Sequence, residues 1–239
     1  MLIVAIIAIL AGFYKEYVCM LVLLIIHELG HFLCAKIFGI HTQQILLYPL
    51  GGLSKMELDI SEDYKKELLI ILMGPLFQCV AYLILKFIFT NEQDLIQQIH
   101  FGILSFNLLP IYPLDGGKIL NIFLNGFTTY RKSFQISIVM SYLFTILLLF
   151  SHKKMSINMI TIYCVLLFLI YQEELKGKLY FQKFLLERLL KEHPYKKYKI
   201  IYRIKDMYRY KYNLLKKGNQ FIKERDFLLQ KYNKFRKNY

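Results

Sequence analysis

The chain has 239 residues, of which 56% are hydrophobic, yet its formal net charge is +14. Soluble domains are about 45–50% apolar, so the combination argues against a soluble basic protein. It also excludes intrinsic disorder, collagen and a secreted disulfide scaffold, since the body is too apolar and four scattered cysteines form no framework. The two properties are segregated: residues 1–171 carry 11 Lys and Arg against 10 Asp and Glu, whereas residues 172–239 carry 20 against 7. A nearly neutral membrane body over 1–171 and a basic tail over 172–239 are therefore expected.

A helix needs about 20 apolar residues to cross a hydrocarbon core about 30 Å thick. Six stretches qualify as candidates, at roughly 1–14, 17–40, 67–89, 95–114, 133–151 and 155–171. The first is short: Met1 to Phe13 would reach only about 20 Å, which implies a shallow segment or a chain that begins upstream. A signal peptide is disfavoured because no Lys or Arg precedes the apolar run. The expected fold class is an all-α polytopic membrane protein with about six transmembrane helices. Lys55, Lys65 and Lys66, then Arg131 and Lys132, fall in alternate connections, the Thr90–Asp94 connection has no cation, and the basic tail follows the sixth stretch. Both termini are thus expected in the cytoplasm, with Lys153 and Lys154 dissenting.

His27-Glu28-Leu29-Gly30-His31 falls inside the second stretch. At 3.6 residues per turn the two histidines share one helical face, close enough to hold one zinc ion, with Glu28 beside the metal. In a soluble helix this pattern competes with ordinary surface or core histidines. Inside an apolar helix, ionisable groups are functional candidates by default.

Between the second and third stretches, the apolar run Ile45 to Leu53 carries a turn signal at Pro49-Leu50-Gly51-Gly52. It predicts a small membrane-associated β-hairpin loop, either lining a wet cavity or lying at the interface. Its strand could offer an edge to an extended substrate, with Gly51 and Gly52 allowing close backbone approach.

A third ligand is needed if zinc is catalytic, and Asp115 is the leading choice. It stands in Asn107-Leu108-Leu109-Pro110-Ile111-Tyr112-Pro113-Leu114-Asp115-Gly116-Gly117 at the end of the fourth stretch. Spacing alone leaves open the alternative that Asp-Gly-Gly is a turn exit. Helix rise places His27 about 15 Å in from Tyr17 but Asp115 about 30 Å along the fourth helix, so a common depth requires the prolines to unwind that helix.

These segments together, with Gly74-Pro75-Leu76 in the third stretch, resemble the site-2 protease family of intramembrane zinc metalloproteases. Their order and the six-span layout look most like the bacterial stage IV sporulation protein FB branch, over roughly residues 1–190. The resemblance implies one zinc ion per chain on His27, His31 and Asp115, Glu28 as general base, and Asn107 in the active-site or substrate region. It further implies a membrane-associated protein substrate cut near the cytoplasmic face, such as a sigma-factor precursor during sporulation, and restraint by small inhibitory membrane proteins. Two departures stand out. Many members carry an Asn a few residues after the third-span Gly-Pro; here Gln78 stands nearby and receives no role. The branch usually ends in a paired cystathionine-β-synthase-type module, for which the 68 residues of the tail are too few, so nucleotide regulation is in doubt.

Cys19, Cys34, Cys79 and Cys164 read as small buried hydrophobes, and His100 as a satisfied polar contact within the fourth stretch. The tail interleaves cations with aromatics, as in Tyr195-Lys196-Lys197-Tyr198-Lys199. At a membrane surface this favours anionic lipid, an acidic substrate segment or a partner over nucleic acid. Leu179 to Leu190 reads as a partly apolar helix that packs against something, and a homo-oligomer is left open. Two rival classes are a silent membrane scaffold, disfavoured because the four catalytic-type residues are intact, and a metal transporter, disfavoured because polar residues do not recur across several spans.

Overall fold

The computed structural model describes residues 12–39, 44–48, 51–55, 64–151, 156–191, 195 and 197–236. They form two compact units, Met1–Leu58 with Lys65–Leu109 and Asp59–Tyr64 with Pro110–Tyr239.

In the first unit, helix α1 (Tyr14–Ile37) precedes strands β1 (Gln44–Tyr48) and β2 (Gly51–Lys55), helix α2 (Tyr64–Ile88), a 3-10 turn (Thr90–Glu92) and helix α3 (Gln93–Asn107). The expected hairpin is present: β1 and β2 pair antiparallel from Gln44↔Lys55 to Tyr48↔Gly51. Its tip, Pro49 and Leu50, lies outside the described residues. Both α3 and β2 pack against α1. Leu23, Leu24, Ala35, Ile70 and Ile71 are buried, while Leu83, Phe87 and Ile88 stand exposed, the inverse of a soluble helix.

The second unit holds helices α4 (Asp115–Phe127), α5 (Tyr130–Ser151) and α6 (Ile157–Leu190), strands β3 (Tyr198–Ile201), β4 (Tyr212–Lys217) and β5 (Gln220–Lys223), and helix α7 (Glu224–Arg236). One face of α5 presents Ser133, Ser137, Ser141 and Thr145, all buried. Each hydroxyl donates to the carbonyl four residues earlier, which satisfies it within an apolar helix. The small side chains let α4 and the preceding turn approach: Asn121 Nδ2 donates to Ser137 Oγ at 3.0 Å, and the Tyr112 amide donates to Ser141 Oγ at 2.7 Å.

Among the described residues, Tyr14–Ile37, Tyr64–Ile88 and Tyr130–Ser151 are long and apolar enough to cross a membrane. The expected 95–114 stretch instead forms the 15-residue α3, about 22 Å long, which ends at Asn107. The physical reason is the one anticipated: Pro110 and Pro113 have no amide to donate and disfavour helix just before them. The expected 155–171 stretch is the first half of the 34-residue α6. Most of the first stretch, residues 1–11, lies outside the described residues.

The tail departs from an all-α expectation. In the three-stranded sheet β3-β4-β5, β3 runs parallel to β4 and β5 antiparallel to it, with the hairpin turning at Gly218, φ +61°. Phe184 of α6, Ile201, Met207, Leu215 and Leu228 form one core, so the expected Leu179–Leu190 helix packs against the tail's own sheet and last helix. Arg188 anchors it. Its Nη2 donates to the carbonyls of Tyr208, Arg209 and Lys211, and its Nη1 pairs with Glu224 at 3.3 Å. Burial lowers the guanidinium pKa and Glu224 opposes that shift. The second Glu224 oxygen accepts from the Asn213 amide and side chain. Several tail cations lie over the chain's own rings, Lys211 at 4.7 Å from Tyr208 and Arg188 at 4.7 Å from Tyr195, so part of the cation–aromatic interleaving is spent internally.

Candidate metal centre

His27, Glu28 and His31 are all buried on α1. The imidazoles are oriented from behind by α2: His27 Nδ1 lies 2.9 Å from Gln78 Oε1, and His31 Nδ1 lies 2.9 Å from the Ile70 carbonyl. Oxygens of this type only accept, so each Nδ1 carries its proton and each Nε2 presents a lone pair. Those two Nε2 atoms face each other 3.1 Å apart. Two neutral nitrogens with opposed lone pairs repel unless a cation or proton lies between them. Ligand nitrogens held about 2.0–2.1 Å from a tetrahedral zinc stand about 3.3 Å apart, so the pair fits that ion.

The sequence around the two histidines explains how the helices come this close. A Cβ on Gly74 would fall on the His31 ring, touching Cε1 and Nε2. The glycine of the Gly-Pro pair in α2 therefore leaves room for the imidazole. Gln78, fully buried, was missed by sequence reasoning; its Nε2 donates to the His100 carbonyl at 3.0 Å and lies 3.3 Å from His100 Nδ1. The expected satisfied contact for His100 is this one, extended by a stacked Tyr82 ring at 4.2 Å. The spacing Gly74 to Gln78, one helical turn, was the available signal.

Asn107 is half-buried at the last position of α3, and Gly51 and Gly52 open β2, the strand beside α1. Asp115 belongs to the second unit, where it is buried and begins α4. Leu114 is extended and Gly117 lies so close to the Ile111 and Tyr112 backbone that a Cβ would clash, which fixes the sharp entry. The N-terminus of α4 and Lys118 Nζ, 3.1 Å from Oδ1, both place positive charge beside the Asp115 carboxylate. His41, His152 and His193 lie outside the described residues. Cys34 packs with Ala35 and Ile70, in line with its reading as a small hydrophobe, whereas Cys164 is exposed.

Residues 16–104 match Peptidase family M50. The chain thus resembles the site-2 protease group of zinc metalloproteases, and three of its described helices are long and apolar enough to cross a membrane. It is 32% identical to stage IV sporulation protein FB of Bacillus subtilis over 152 residues, covering 61% of this chain and 53% of the relative. It is also 32% identical over 156 residues to a zinc metalloprotease of Methanocaldococcus jannaschii, covering 61% of this chain and 45% of that protein. The solved site-2 protease from Methanocaldococcus jannaschii superposes with a TM-score of 0.59 at 28% identity, over 72% of this chain and 85% of that one. The chain thus spans about half the length of the curated relatives it matches.

Proposed function

We propose that the chain is an intramembrane zinc metalloendopeptidase that hydrolyses a peptide bond of a membrane-associated protein near the cytoplasmic face. The observation that carries this reading is the pair of Nε2 atoms 3.1 Å apart, each imidazole held from behind through Nδ1. His27, His31 and Asp115 are the proposed zinc ligands. Zinc, when bound, lowers the pKa of water towards about 7 and acts as a Lewis acid on a carbonyl. Glu28, buried between the ligands along α1, takes the proton of the attacking water and returns it to the leaving amine. Asn107 at the end of α3 is the proposed donor to a substrate carbonyl.

A helical substrate hides its amides in its own hydrogen bonds and must be extended before attack. The β1–β2 hairpin beside α1 supplies a strand for it, and Gly51 and Gly52 let the backbones come close. Six crossings with both termini cytoplasmic remain the proposed layout, with the fourth ended early by its prolines. The family resemblance of the motifs makes a sigma-factor precursor the first substrate to try. Small membrane inhibitors, anionic lipid at the basic tail and self-association are further proposed interactions.

The test uses full-length protein in detergent or liposomes. Glu28→Gln is expected to keep near-stoichiometric zinc and lose proteolysis, whereas His27→Ala, His31→Ala and Asp115→Ala lose both. Cleavage by Glu28→Gln at the wild-type rate would end the protease reading.

A further inference from the structure

We infer that Gln78 is a positioning residue that sets the orientation and hydrogen-bonding state of His27 for the metal, an inference that rests on the zinc reading above. An amide side chain can be turned either way round, but this one has a neighbour that decides. The backbone carbonyl of His100 lies 3.0 Å from Gln78 Nε2 and can only accept. Turning the amide over would set two carbonyl oxygens against each other at that distance, at a residue that is 0% exposed. The NH2 group therefore faces α3, where His100 Nδ1 at 3.3 Å accepts its second hydrogen. Oε1 is left facing α1, 2.9 Å from His27 Nδ1, and fixes that nitrogen as the donor. His27 Nε2 is then the acceptor atom turned toward His31 Nε2.

The two ligands are thus oriented by different means. For His31 the acceptor is the Ile70 main chain, which no substitution removes. For His27 it is a side chain, itself held by a carbonyl of a third helix, so one residue carries information from α3 through α2 to a ligand on α1. Losing an outer partner of this type costs about 10–100-fold in metal affinity.

Zinc affinity of the full chain, measured by chelator competition, and the visible spectrum of its cobalt-substituted form test the assignment. Gln78→Met keeps length and packing but removes the oxygen, and is expected to weaken zinc by about 10–100-fold and shift the cobalt bands. Gln78→Glu restores an oxygen to His27 Nδ1, so its affinity and bands should stay closer to wild type than those of Gln78→Met. Equal losses in both variants, or none in either, would reduce Gln78 to a link between helices and overturn the inference. Should Gln78→Met not fold, Gln78→Asn carries the same expectation, because its shorter amide withdraws the oxygen from His27. Zinc-free wild type that cannot be loaded would instead defeat the underlying zinc reading.

Discussion

Single atoms decide the metal centre. The imidazole of His31 occupies space that any side chain at position 74 would claim, so the absence of a Cβ there is a requirement of that ring and not of the helix. Gly74→Ala is expected to displace His31 and lower zinc affinity by at least about tenfold, the loss seen when ligand orientation is disturbed. Gly102→Ala on α3 is the matched control, since nothing lies within 4 Å of its Cβ position. It should raise stability by about 0.5–1 kcal/mol through helix propensity alone, read from thermal unfolding in detergent. The histidines were legible in the sequence because a spacing of four puts two side chains on one face whatever surrounds them. Gln78 was not, because its role depends on a carbonyl 22 residues away on another helix, and local periodicity carries no trace of that.

At the level of elements, the turn signal at Pro49 to Gly52 and the proline pair at 110 and 113 both stated their outcome in the sequence: a hairpin, and a helix that stops at Asn107. Each rests on backbone restrictions that tertiary context rarely reverses. Strand β4 is the opposite case. Its buried alternate positions are Asn213 and Leu215, while Leu214 is only half-buried, so the inward stripe is half polar and reads as tail. Asn213 is affordable inside because it is bonded to the Tyr208 amide and carbonyl and to Glu224. For the hairpin, proline substitution at successive positions 45 to 48 should impair cleavage at alternate sites, since a strand presents every second amide to the added chain. Cleavage assays on variants with normal zinc content check this, and uniform tolerance of proline would remove the strand from the mechanism.

Across the whole molecule the charge imbalance has a structural address. The basic segment after residue 171 is a continuation of α6 followed by a sheet and a helix, with Arg188 and Glu224 buried together at its centre. Arg188→Met would leave Glu224 buried without its guanidinium, at a cost of about 3–5 kcal/mol. Limited proteolysis should then cut within residues 197–236 much faster than in wild type, while the zinc content stays unchanged. Coupled loss of zinc would show instead that the metal site depends on this segment. The sequence announced the helix over Leu179 to Leu190 through its apolar residues, but the partners of that helix come from segments dominated by Lys, Arg and Tyr, where composition obscures a core of only a few side chains.

Helix α6 has one further consequence. It runs 34 residues without interruption, about 51 Å, from its Ser156 cap to the core around Phe184 and Arg188. Such a rod acts as a lever: a tilt of about 10° at its apolar end swings the far end by roughly 9 Å at that helical rise.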